Sequence, residues 1–328
     1  MKTKIFITGS SGFIGFHVAK KYLDKGFKVH GFDSMNNYYD VKLKKNRKKI
    51  LEKYKKFSFS KGQIENYKTI NKSILKFKPK IIIHLAAQAG VRYSLKNSFA
   101  YINSNIVGFH NIIECAKVHK VENFIYASSS SVYGGNKKLP FKESDSVDHP
   151  ISLYAATKKS NELMAHAYSH LYNIPSTGLR FFTVYGPWGR PDMALFIFTK
   201  LIMENKPIQI FNNGEMMRDF TFIEDIVESL YRIIKKPPAE IKNFDKLNPD
   251  SSKSWAPYRI FNIGNSNPTK LMDYIDSIEK HTGKKAIKEF LPLQPGDVPA
   301  TYADTSLLED WINFKPNTSI DEGIKLFV

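Results

Sequence analysis

The sequence predicts an α/β fold: a doubly wound parallel sheet with a smaller C-terminal lobe. Through the first 180 residues, short apolar runs alternate with segments whose apolar residues recur at helical spacing. A glycine-rich turn follows the first of these runs, and beyond Arg180 the regular alternation ends. Strands that alternate with helices form parallel sheets, which bind ligands at the carboxyl ends of their strands. The later break in alternation predicts a second lobe built over the sheet edge.

Length and composition place the chain among globular proteins without a membrane span. The 328 residues are 42% hydrophobic and 24% charged, which is typical of a soluble protein with a sizeable core. We find no apolar run of about 18 residues, and the N-terminal residues do not resemble a cleavable leader. The single cysteine, Cys115, excludes an internal disulfide framework and suits a reducing cytoplasm. We therefore expect a cytoplasmic protein with no membrane partner.

The net charge of +18 comes almost entirely from lysine, since only seven of the 49 basic residues are arginine. Lysines dominate Val41–Phe57. Within this segment, five residues at helical spacing form a stripe: Leu43, Arg47, Ile50, Leu51 and Tyr54. The pattern predicts an amphipathic helix with a solvated lysine face, so we expect no nucleic-acid partner. Arginine binds phosphate better than lysine, and the proximity of Arg180, Arg190 and Arg218 favours an anionic small molecule as the ligand.

A glycine-rich turn joins the first predicted strand, Lys4–Thr8, to the first predicted helix. Its three spaced glycines are Gly9, Gly12 and Gly15. Glycines here permit a tight turn and a close approach of the backbone to a pyrophosphate, which the helix N-terminus binds. The second predicted strand, Lys28–Phe32, ends at Asp33, where an acid binds the adenosine ribose and repels a 2′-phosphate. The motif predicts NAD rather than NADP, although similar turns also occur in sheets that bind no nucleotide.

Two further apolar runs end in small or polar residues at the same edge of the predicted sheet. Lys80–His84 leads into Leu85–Gly90, whose small side chains let the backbone pass close to a flat cofactor. Asn123–Ala127 leads into Ser128–Gly134, which begins with four consecutive serines. These serines are either a polar turn or a set of hydroxyls that bind a substrate hydroxyl or carboxylate.

Tyr154 and Lys158 begin a predicted amphipathic helix. Its apolar residues recur at helical spacing: Leu163, Met164, Ala167 and Leu171. Tyr154 and Lys158 are four residues apart and therefore share one face of the helix. A neighbouring cation favours the phenolate and lowers the pKa of a tyrosine, so the pair is suited to proton transfer. The spacing alone also fits a surface tyrosine beside a solvated lysine.

In this order and spacing, the motifs resemble the extended short-chain dehydrogenase/reductase superfamily, and within it the NAD-dependent epimerase/dehydratase family. The resemblance covers nearly the whole chain. Four stretches are similar to those of UDP-glucuronate 4-epimerases: Gly31–Asp40, Arg180–Ala194, Arg218–Asp225 and Gln294–Asp304. The resemblance implies a Rossmann-type fold and a nucleotide-sugar 4-epimerase, which interconverts UDP-glucuronate and UDP-galacturonate through a transient 4-keto sugar.

The resemblance also implies that the cofactor is NAD and assigns residues to it. The residues that would bind NAD are Gly9, Gly12, Phe13, Ile14, Gly15, Asp33, Ser34, Asn37, Gln63, Ile64, Leu85, Ala86, Ala87, Gln88, Asn105, Tyr154, Lys158 and Phe181. Ser34 stands where the family more often has asparagine, and Gln63 replaces an aspartate that usually contacts adenine. A glutamine still offers a carbonyl oxygen to the adenine amino group.

By the same resemblance, Tyr154 is the catalytic base, Lys158 is its cation and ribose contact, and Ser129 hydrogen-bonds the sugar 4-hydroxyl. The other implied substrate contacts are Ser130, Ser131 and Thr183 at the sugar carboxylate, Arg190 in the loop that closes over it, Phe211 near the nucleoside, Arg218 at the pyrophosphate and Asp297 at the uridine ribose. The resemblance implies no metal ligand.

The resemblance further implies a division of the chain and an oligomeric state. Residues 1–180 would form the NAD-binding domain, with short segments near 219–235 and 258–264 returning to it. Residues 181–328 would form most of the UDP-sugar-binding lobe. Relatives are homodimers, so helices around Asn103–Ala116 and Tyr154–Tyr172 are expected to form a dimer interface.

Four alternative functions remain open at this point. Relatives that decarboxylate UDP-glucuronate carry a glutamate just before Val-Tyr-Gly, where this chain has Ser131. A 4,6-dehydratase typically has an Asp-Glu pair at the serine strand end, which is missing from the sequence. A 4-epimerase of neutral UDP-glucose or UDP-N-acetylglucosamine would not need residues that bind a sugar carboxylate, so their presence in this sequence would be coincidental. A non-catalytic NAD- or RNA-binding member of the fold would commonly lose the Tyr-Lys pair, which this chain keeps.

Overall fold

The structure of the protein, a computed structural model, describes residues 3–294 and 297–328. Pro295 and Gly296, which belong to the Gln294–Asp304 stretch, lie outside the described residues. The strands are β1 (Lys4–Thr8), β2 (Lys28–Asp33), β3 (Phe57–Lys61), β4 (Ile81–His84), β5 (Asn123–Ser129), β6 (Ser176–Phe181), β7 (Thr183–Tyr185), β8 (Pro207–Ile210), β9 (Met217–Phe222), β10 (Tyr258–Ile263), β11 (Pro268–Lys270) and β12 (Ile287–Phe290). The helices are α1 (Phe13–Asp24), α2 (Val41–Leu51), α3 (Tyr67–Phe77), α4 (Val91–Ser94), α5 (Ser98–Tyr101), α6 (Phe109–Val118), α7 (Leu153–Tyr172), α8 (Ala194–Met203), α9 (Ile223–Ile233), α10 (Leu271–Thr282), α11 (Ser306–Ile312) and α12 (Ile320–Phe327). Among the described residues, no helix combines the length and the apolar character needed to cross a bilayer.

Parallel strands form the large sheet, in the order β10-β6-β5-β4-β1-β2-β3. This order confirms the predicted doubly wound sheet. The predicted strand Lys4–Thr8 and the predicted end of the second strand at Asp33 are correct, whereas the strand predicted over Asn123–Ala127 continues to Ser129. β5 is longer because Ser129 pairs in register with Phe181 of β6. The first serines therefore lie inside the sheet, where the strand ladder fixes their positions.

Both faces of the large sheet are buried, because apolar side chains occupy both faces of its strands and helices cover each side. Ile5 and Ile7 of β1 pack with α1 and α9 on one face. Phe6 points to the other face, where it packs with α3 and α6. All three side chains are fully buried. The helices leave the carboxyl ends of the strands free for the loops that follow them.

After β6 the chain builds a smaller lobe and returns twice to the large sheet. In this lobe β9 pairs with β7 and β11, β8 pairs with β12, and α8 packs against α10. α9 packs against α1, and β10 pairs with β6 at the edge of the large sheet. Residues of both parts line one cleft at the carboxyl ends of the large sheet.

Arg180 belongs to the core and not to an anion site. Its fully buried guanidinium donates to both carboxylate oxygens of Glu162 on α7, at 2.9 and 3.0 Å, and to the Tyr133 hydroxyl at 3.1 Å. Glu162 also accepts a hydrogen bond from the Ser128 hydroxyl at 2.6 Å. These contacts tie α7 to the ends of β5 and β6. The expectation that Arg180 contributes to an anion site is therefore wrong.

The lysine-rich segment forms the amphipathic helix α2, as predicted. Asp40 caps it by accepting a hydrogen bond from the Lys42 backbone nitrogen at 2.7 Å. Its buried face consists of Lys44, Arg47 and Leu51. Most of the lysines are solvated, but Lys44 departs from the expectation because its side chain turns into the cleft.

Candidate active site

A cleft of about 1250 Å³ lies at the carboxyl ends of the large sheet. It brings together the glycine turn, the serine strand end and the start of α7. The sequence-predicted residues that line it are Gly9, Gly12, Phe13, Ile14, Gly15, Asp33, Ser34, Gln63, Ile64, Leu85, Ala86, Ala87, Gln88, Ser129, Ser130, Ser131, Tyr154, Lys158, Phe181, Thr183, Arg190, Phe211, Arg218 and Asp297. Two predicted cofactor residues, Asn37 and Asn105, do not line it.

The glycine turn between β1 and α1 has no room for side chains. Gly9 has a φ of +71°, and a Cβ atom there would lie 2.8 Å from the Ala86 nitrogen. A Cβ atom at Gly15 would lie 2.1 Å from the Gly9 carbonyl oxygen. Gly12 is the N-cap residue of α1 and has no side chain that could accept hydrogen bonds from the first N–H groups of the helix. The first turn of α1 contains no acidic residue. The N-terminal N–H groups of α1 are therefore available to an anion such as a pyrophosphate.

Asp33 lies at the end of β2, beside the glycine turn. Its carboxylate accepts hydrogen bonds from the backbone nitrogens of Ser11, at 3.0 Å, and Met35, at 2.8 Å. These bonds fix a largely buried carboxylate at the edge of the cleft. A carboxylate in this position accepts hydrogen bonds from ribose hydroxyls and repels a 2′-phosphate.

The two predicted residues outside the cleft have different surroundings. Asn37 is exposed, and its neighbour Asn36 lines the cleft because Lys44 Nζ donates to two oxygens of Asn36, at 2.9 and 2.6 Å. Asn105 is buried, and its amide bonds to the Gln88 backbone nitrogen at 2.8 Å and carbonyl oxygen at 3.0 Å. Asn36 therefore lines the cleft beside Asn37, and Asn105 positions Gln88 without lining the cleft itself.

Tyr154, Lys158 and Ser129 meet where α7 passes the end of β5. Ser152 caps the first turn of α7 with its side chain, so the helix begins just before Tyr154. Lys158 is buried, and its Nζ donates a hydrogen bond to the Ala127 carbonyl oxygen at 2.9 Å. Burial lowers the pKa of Lys158 to about 8. The lysine therefore remains mainly cationic at pH 7, within reach of the cleft.

The pKa of the Tyr154 phenol differs from the sequence-based expectation. Burial raises this pKa, while the neighbouring Ser129 hydroxyl and the positive charge of Arg190 oppose the rise. Lys158 Nζ donates to the Ala127 carbonyl oxygen of β5. The net shift of the Tyr154 pKa is upward, whereas a neighbouring cation alone would shift it downward. The cation that opposes the rise, Arg190, comes from the smaller lobe.

The serines after Ala127 form a short polar turn that faces the cleft. Ser129 accepts a hydrogen bond from the Ser131 nitrogen at 3.2 Å and donates one to the Ser131 hydroxyl at 3.1 Å. This geometry starts the 3-10 helix Ser130–Tyr133 and brings Ser130 and Ser131 to the cleft wall. Thr183, at the start of β7, lines the same cleft.

Arg190 reaches this cleft from the loop that follows β7. Its Nε donates to Asp192 at 3.0 Å, and its Nη2 donates to the other carboxylate oxygen at 2.5 Å. Asp192 also accepts a hydrogen bond from the Tyr38 hydroxyl at 3.2 Å. A residue of the loop after β2 therefore helps to hold the Arg190 side chain across the cleft.

The far end of the cleft combines cations, a carboxylate and an aromatic ring. Arg218 donates to two backbone carbonyl oxygens, at 2.9 and 3.0 Å. Burial lowers the pKa of Arg218, and the neighbouring Asp297 raises it. Arg92 donates to Asp297 at 2.7 Å, and its guanidinium lies 5.0 Å from the centre of the Phe211 ring. This end is suited to a pyrophosphate and a nucleoside.

Several residues of the cleft escape prediction from the sequence. Arg92 follows the small-residue segment after β4, and its status as one of only seven arginines is the available signal. Lys44 lies on the same helical face as Arg47 and Leu51, which could have marked it as inward-facing. Tyr38 lies within the Gly31–Asp40 stretch, but its contact with the smaller lobe depends on the fold.

We predict that Gly15→Ala abolishes retention of the nucleotide cofactor. The added Cβ atom would collide with the Gly9 carbonyl oxygen and open the turn that faces the phosphates. Gly135→Ala is the matched control, since a Cβ atom there has no neighbour closer than 4.0 Å. The nucleotide content of each purified variant measures the effect, and circular dichroism verifies the fold. Folded Gly15→Ala protein that keeps its nucleotide would contradict the role of the turn.

Comparisons with known proteins agree with this geometry. Residues 6–327 match the family described as GDP-mannose 4,6 dehydratase. The chain is 55% identical over 325 residues to Protein CapI of Staphylococcus aureus, covering 99% of this chain and 97% of that protein. It is 49% identical to a probable UDP-glucuronate 4-epimerase of Rhizobium meliloti, covering 99% and 96% of the two chains. The crystal structure of the Bacillus cereus UDP-glucuronic acid 4-epimerase, in complex with UDP-glucuronic acid and NAD, superposes with a TM-score of 0.85 at 33% identity, covering 99% and 97% of the chains. The chain therefore belongs to the GDP-mannose 4,6 dehydratase family, which confirms the resemblance to NAD-dependent epimerases and dehydratases that its motifs indicate.

Proposed function

We propose that this protein catalyses the NAD-dependent C4 epimerisation of UDP-glucuronate to UDP-galacturonate through a transient 4-keto sugar. One observation supports the proposal most strongly: Tyr154 and Ser129 share their cleft with hydroxyls and an arginine suited to a carboxylate. The relatives of known or probable function cover the chain from end to end and support the same substrate.

The residues of the cleft fit NAD. The glycine turn admits no side chain, the N-terminus of α1 offers N–H groups to a pyrophosphate, and Asp33 is fixed where a ribose would bind. We assign NAD to the predicted residues that line the cleft, together with Asn36. When bound, NAD supplies a reversible hydride acceptor for C4 of the sugar.

In the proposed reaction, Tyr154 removes the proton of the sugar 4-hydroxyl and later returns it. Ser129 holds that hydroxyl, and Arg190 opposes the effect of burial on the pKa of the phenol. Lys158 is largely charged at pH 7 and binds the cofactor ribose. Holding the sugar, the base and the cofactor in one site is a proximity effect that can lower the barrier by roughly 7–11 kcal/mol.

The polar turn after β5 favours epimerisation over decarboxylation. A 4-keto uronic acid is a β-keto acid, which loses CO2 when its carboxylate stands perpendicular to the ring. Ser131 occupies the position where decarboxylating relatives carry glutamate. Ser130, Ser131 and Thr183 can instead donate hydrogen bonds to the carboxylate and, with Arg190, hold it in an unreactive orientation.

Dehydration, epimerisation of a neutral sugar and a non-catalytic role receive less support from the cleft. A 4,6-dehydratase typically places an acid and a base at the end of β5, but this chain has serines there. A neutral UDP-sugar would leave Arg190 and the hydroxyls of Ser130, Ser131 and Thr183 without a substrate carboxylate to bind. A non-catalytic NAD- or RNA-binding protein would not require Tyr154 and Lys158 to be positioned together in the cleft.

We expect incubation of the protein with UDP-glucuronate to yield UDP-galacturonate. Proton NMR resolves the two sugars and also detects UDP-xylose. Release of CO2 with UDP-xylose as the main product would establish the decarboxylase instead. Turnover of UDP-glucose but not of UDP-glucuronate would establish a neutral-sugar epimerase. RNA binding that weakens steeply with salt, without sugar turnover, would favour the non-catalytic protein.

We predict that Tyr154→Phe keeps NAD but lowers turnover by at least about 100-fold, because it removes the proton acceptor without changing the shape of the cleft. Tyr172→Phe, at the exposed end of α7, is the matched control. Single-turnover assays measure the rate, and absorbance after gel filtration measures bound nucleotide. Substantial turnover by Tyr154→Phe would refute the assigned role.

We also propose a division of the chain and a cellular setting. Residues 1–180, with segments near 219–235 and 258–264, bind NAD, and residues 181–328 supply most contacts to the UDP-sugar. The buried free thiol of Cys115 suits a reducing compartment, and we place the protein in the cytoplasm.

We further propose that the protein is a homodimer. Large apolar side chains are exposed along the π-helical turn Ile102–Gly108 and along α7. Two of them, Leu163 and Leu171, are 60% and 65% exposed on α7. Exposed large apolar side chains on neighbouring elements favour association with a second copy.

Sedimentation tests the dimer. The wild-type protein is expected to sediment at twice the chain mass of 37.6 kDa at micromolar concentration, and Leu163→Glu at the mass of one chain. Leu247→Glu, at a residue 92% exposed in the segment 234–257, is the control and should remain dimeric. A monomeric wild-type protein would rule out the proposal.

A further inference from the structure

Arg47 on α2 is a fully buried cation that contacts three separate parts of the chain. Its Nη1 donates to the Ser11 carbonyl oxygen in the glycine turn, at 3.0 Å, and to the Tyr39 hydroxyl, at 2.9 Å. Its Nη2 donates to the carbonyl oxygens of Trp188, at 2.5 Å, and Gly189, at 3.2 Å. One guanidinium therefore joins the cofactor turn to a loop of the smaller lobe.

The burial of Arg47 is not explained by an ion pair. Arg180, which is also fully buried, pairs with Glu162, but Arg47 has no carboxylate in salt-bridge contact among residues 3–294 and 297–328. Its Nε has no hydrogen-bond partner within the same part of the chain. A buried charge destabilises a fold unless it is paired, and an apolar side chain would continue the stripe of α2 at lower cost. The free-energy cost of burying the Arg47 charge therefore indicates that Arg47 has a role other than stabilising the fold.

The loop that Arg47 holds is the one that positions Arg190. We call residues 186–192 the Arg190 loop. His17 of α1 provides a second anchor, with its Nε2 2.9 Å from the Pro187 carbonyl oxygen. Phe16 packs on Trp188, with ring centroids 5.8 Å apart, and Trp188 has a φ of +58°. Non-glycine residues seldom adopt this conformation unless their surroundings hold it. Side chains of α1 and α2 thus hold the backbone immediately before Arg190.

We propose that Arg47 is a positioning residue that couples the glycine turn to the Arg190 loop. The cofactor-binding part of the protein would thereby determine how strongly Arg190 binds the substrate carboxylate. This inference rests on the proposed function and deepens it. Arg47 touches neither the sugar nor its carboxylate. It acts through the Ser11 carbonyl on the phosphate side and through the carbonyls of residues 188–189 on the substrate side.

The coupling follows from the geometry of the guanidinium. Its planar fork donates in several fixed directions at once, which an ammonium group at the end of a lysine cannot reproduce. Arg47→Lys keeps the charge but cannot bridge the two segments. It should therefore loosen both the phosphate turn and the Arg190 loop. Arg190→Gln, in contrast, removes the cation that faces the carboxylate, together with its ion pair to Asp192, and leaves the glycine turn unchanged.

Two binding measurements on the full-length protein test this inference. Calorimetry in saturating NAD gives the dissociation constants of UDP-glucuronate and UDP-glucose, whose ratio is the carboxylate preference. Gel filtration followed by absorbance gives the NAD retained. We expect Arg47→Lys to lose most of its NAD. Its carboxylate preference should fall at least about tenfold, which is one unit in the logarithm of the ratio of dissociation constants. Arg190→Gln should lose the preference but keep NAD.

Arg232→Lys is the matched control, because Arg232 also donates to backbone carbonyls, those of Ile312 and Asn313, but on α9. It should change neither quantity. The double variant Arg47→Lys with Arg190→Gln should lose no more carboxylate preference than Arg190→Gln alone, because both changes affect the preference through the Arg190 guanidinium. If Arg47→Lys fails to fold, His17→Ala replaces it and should lose the preference while keeping NAD.

Three outcomes would overturn the coupling. Arg47→Lys could weaken the binding of UDP-glucuronate and of UDP-glucose by the same factor, which would indicate a general structural role. It could also keep both its NAD and its carboxylate preference. An unchanged preference in His17→Ala would also contradict it. A wild-type protein that binds UDP-glucuronate no better than UDP-glucose would contradict the proposed substrate instead, and NAD retention by Arg47→Lys would then decide the coupling alone.

Discussion

The hydrogen bond from Lys158 Nζ to the Ala127 carbonyl oxygen, 2.9 Å long, fixes the start of α7 against the end of β5. The helix presents Tyr154 and the strand presents Ser129, so this contact sets the distance between the proposed base and the residue that we propose holds the sugar hydroxyl. Arg180 and Glu162 reinforce the same junction from below, where both are fully buried. Because strand, helix and ion pair are all rigid, the proton-transfer groups are positioned before any ligand binds.

The distribution of charge explains how a strongly basic chain can bind one small anion. Most of the lysines are on the surface, where water screens them. In the described part of the chain, six cationic side chains line the cleft: Lys44, Arg92, Lys96, Lys158, Arg190 and Arg218. In a partly buried cleft, each of these acts more strongly on a phosphate or carboxylate than a surface lysine does. The location of the cations therefore matters more for ligand binding than the total of +18.

The sequence predicts the features that depend on local chemistry. The strand-turn-helix pattern at Gly9–Gly15 and the acid at Asp33 are sufficient to predict the sheet and the cofactor, since turn geometry and ribose binding need particular residues. The pair Tyr154 and Lys158 is recognised by its helical spacing. Each of these signals lies within a short segment of the chain, so it can be recognised without knowledge of the tertiary fold.

Features that depend on contacts between distant segments could not be predicted. The pKa of Tyr154 is set by its burial and by Arg190, which approaches from the other lobe. Sequence proximity groups Arg180 with Arg190 and Arg218, but the carboxylate partner of Arg180 is on a different element, α7. The buried stripe of α2 correctly includes Arg47, although its contacts with the loop at residues 188–189 are 141 and 142 positions away in the chain.

The crystal structure of the protein with NAD and UDP-glucuronate measures the central claim most directly. We predict that the Tyr154 hydroxyl oxygen lies within hydrogen-bond reach of the sugar 4-hydroxyl oxygen, about 2.6–3.2 Å. The nicotinamide ring should face C4 of the same sugar. A sugar whose 4-hydroxyl lies out of reach of Tyr154, or a ring placed too close to the phenol to leave room for a pyranose, would contradict the proposed mechanism.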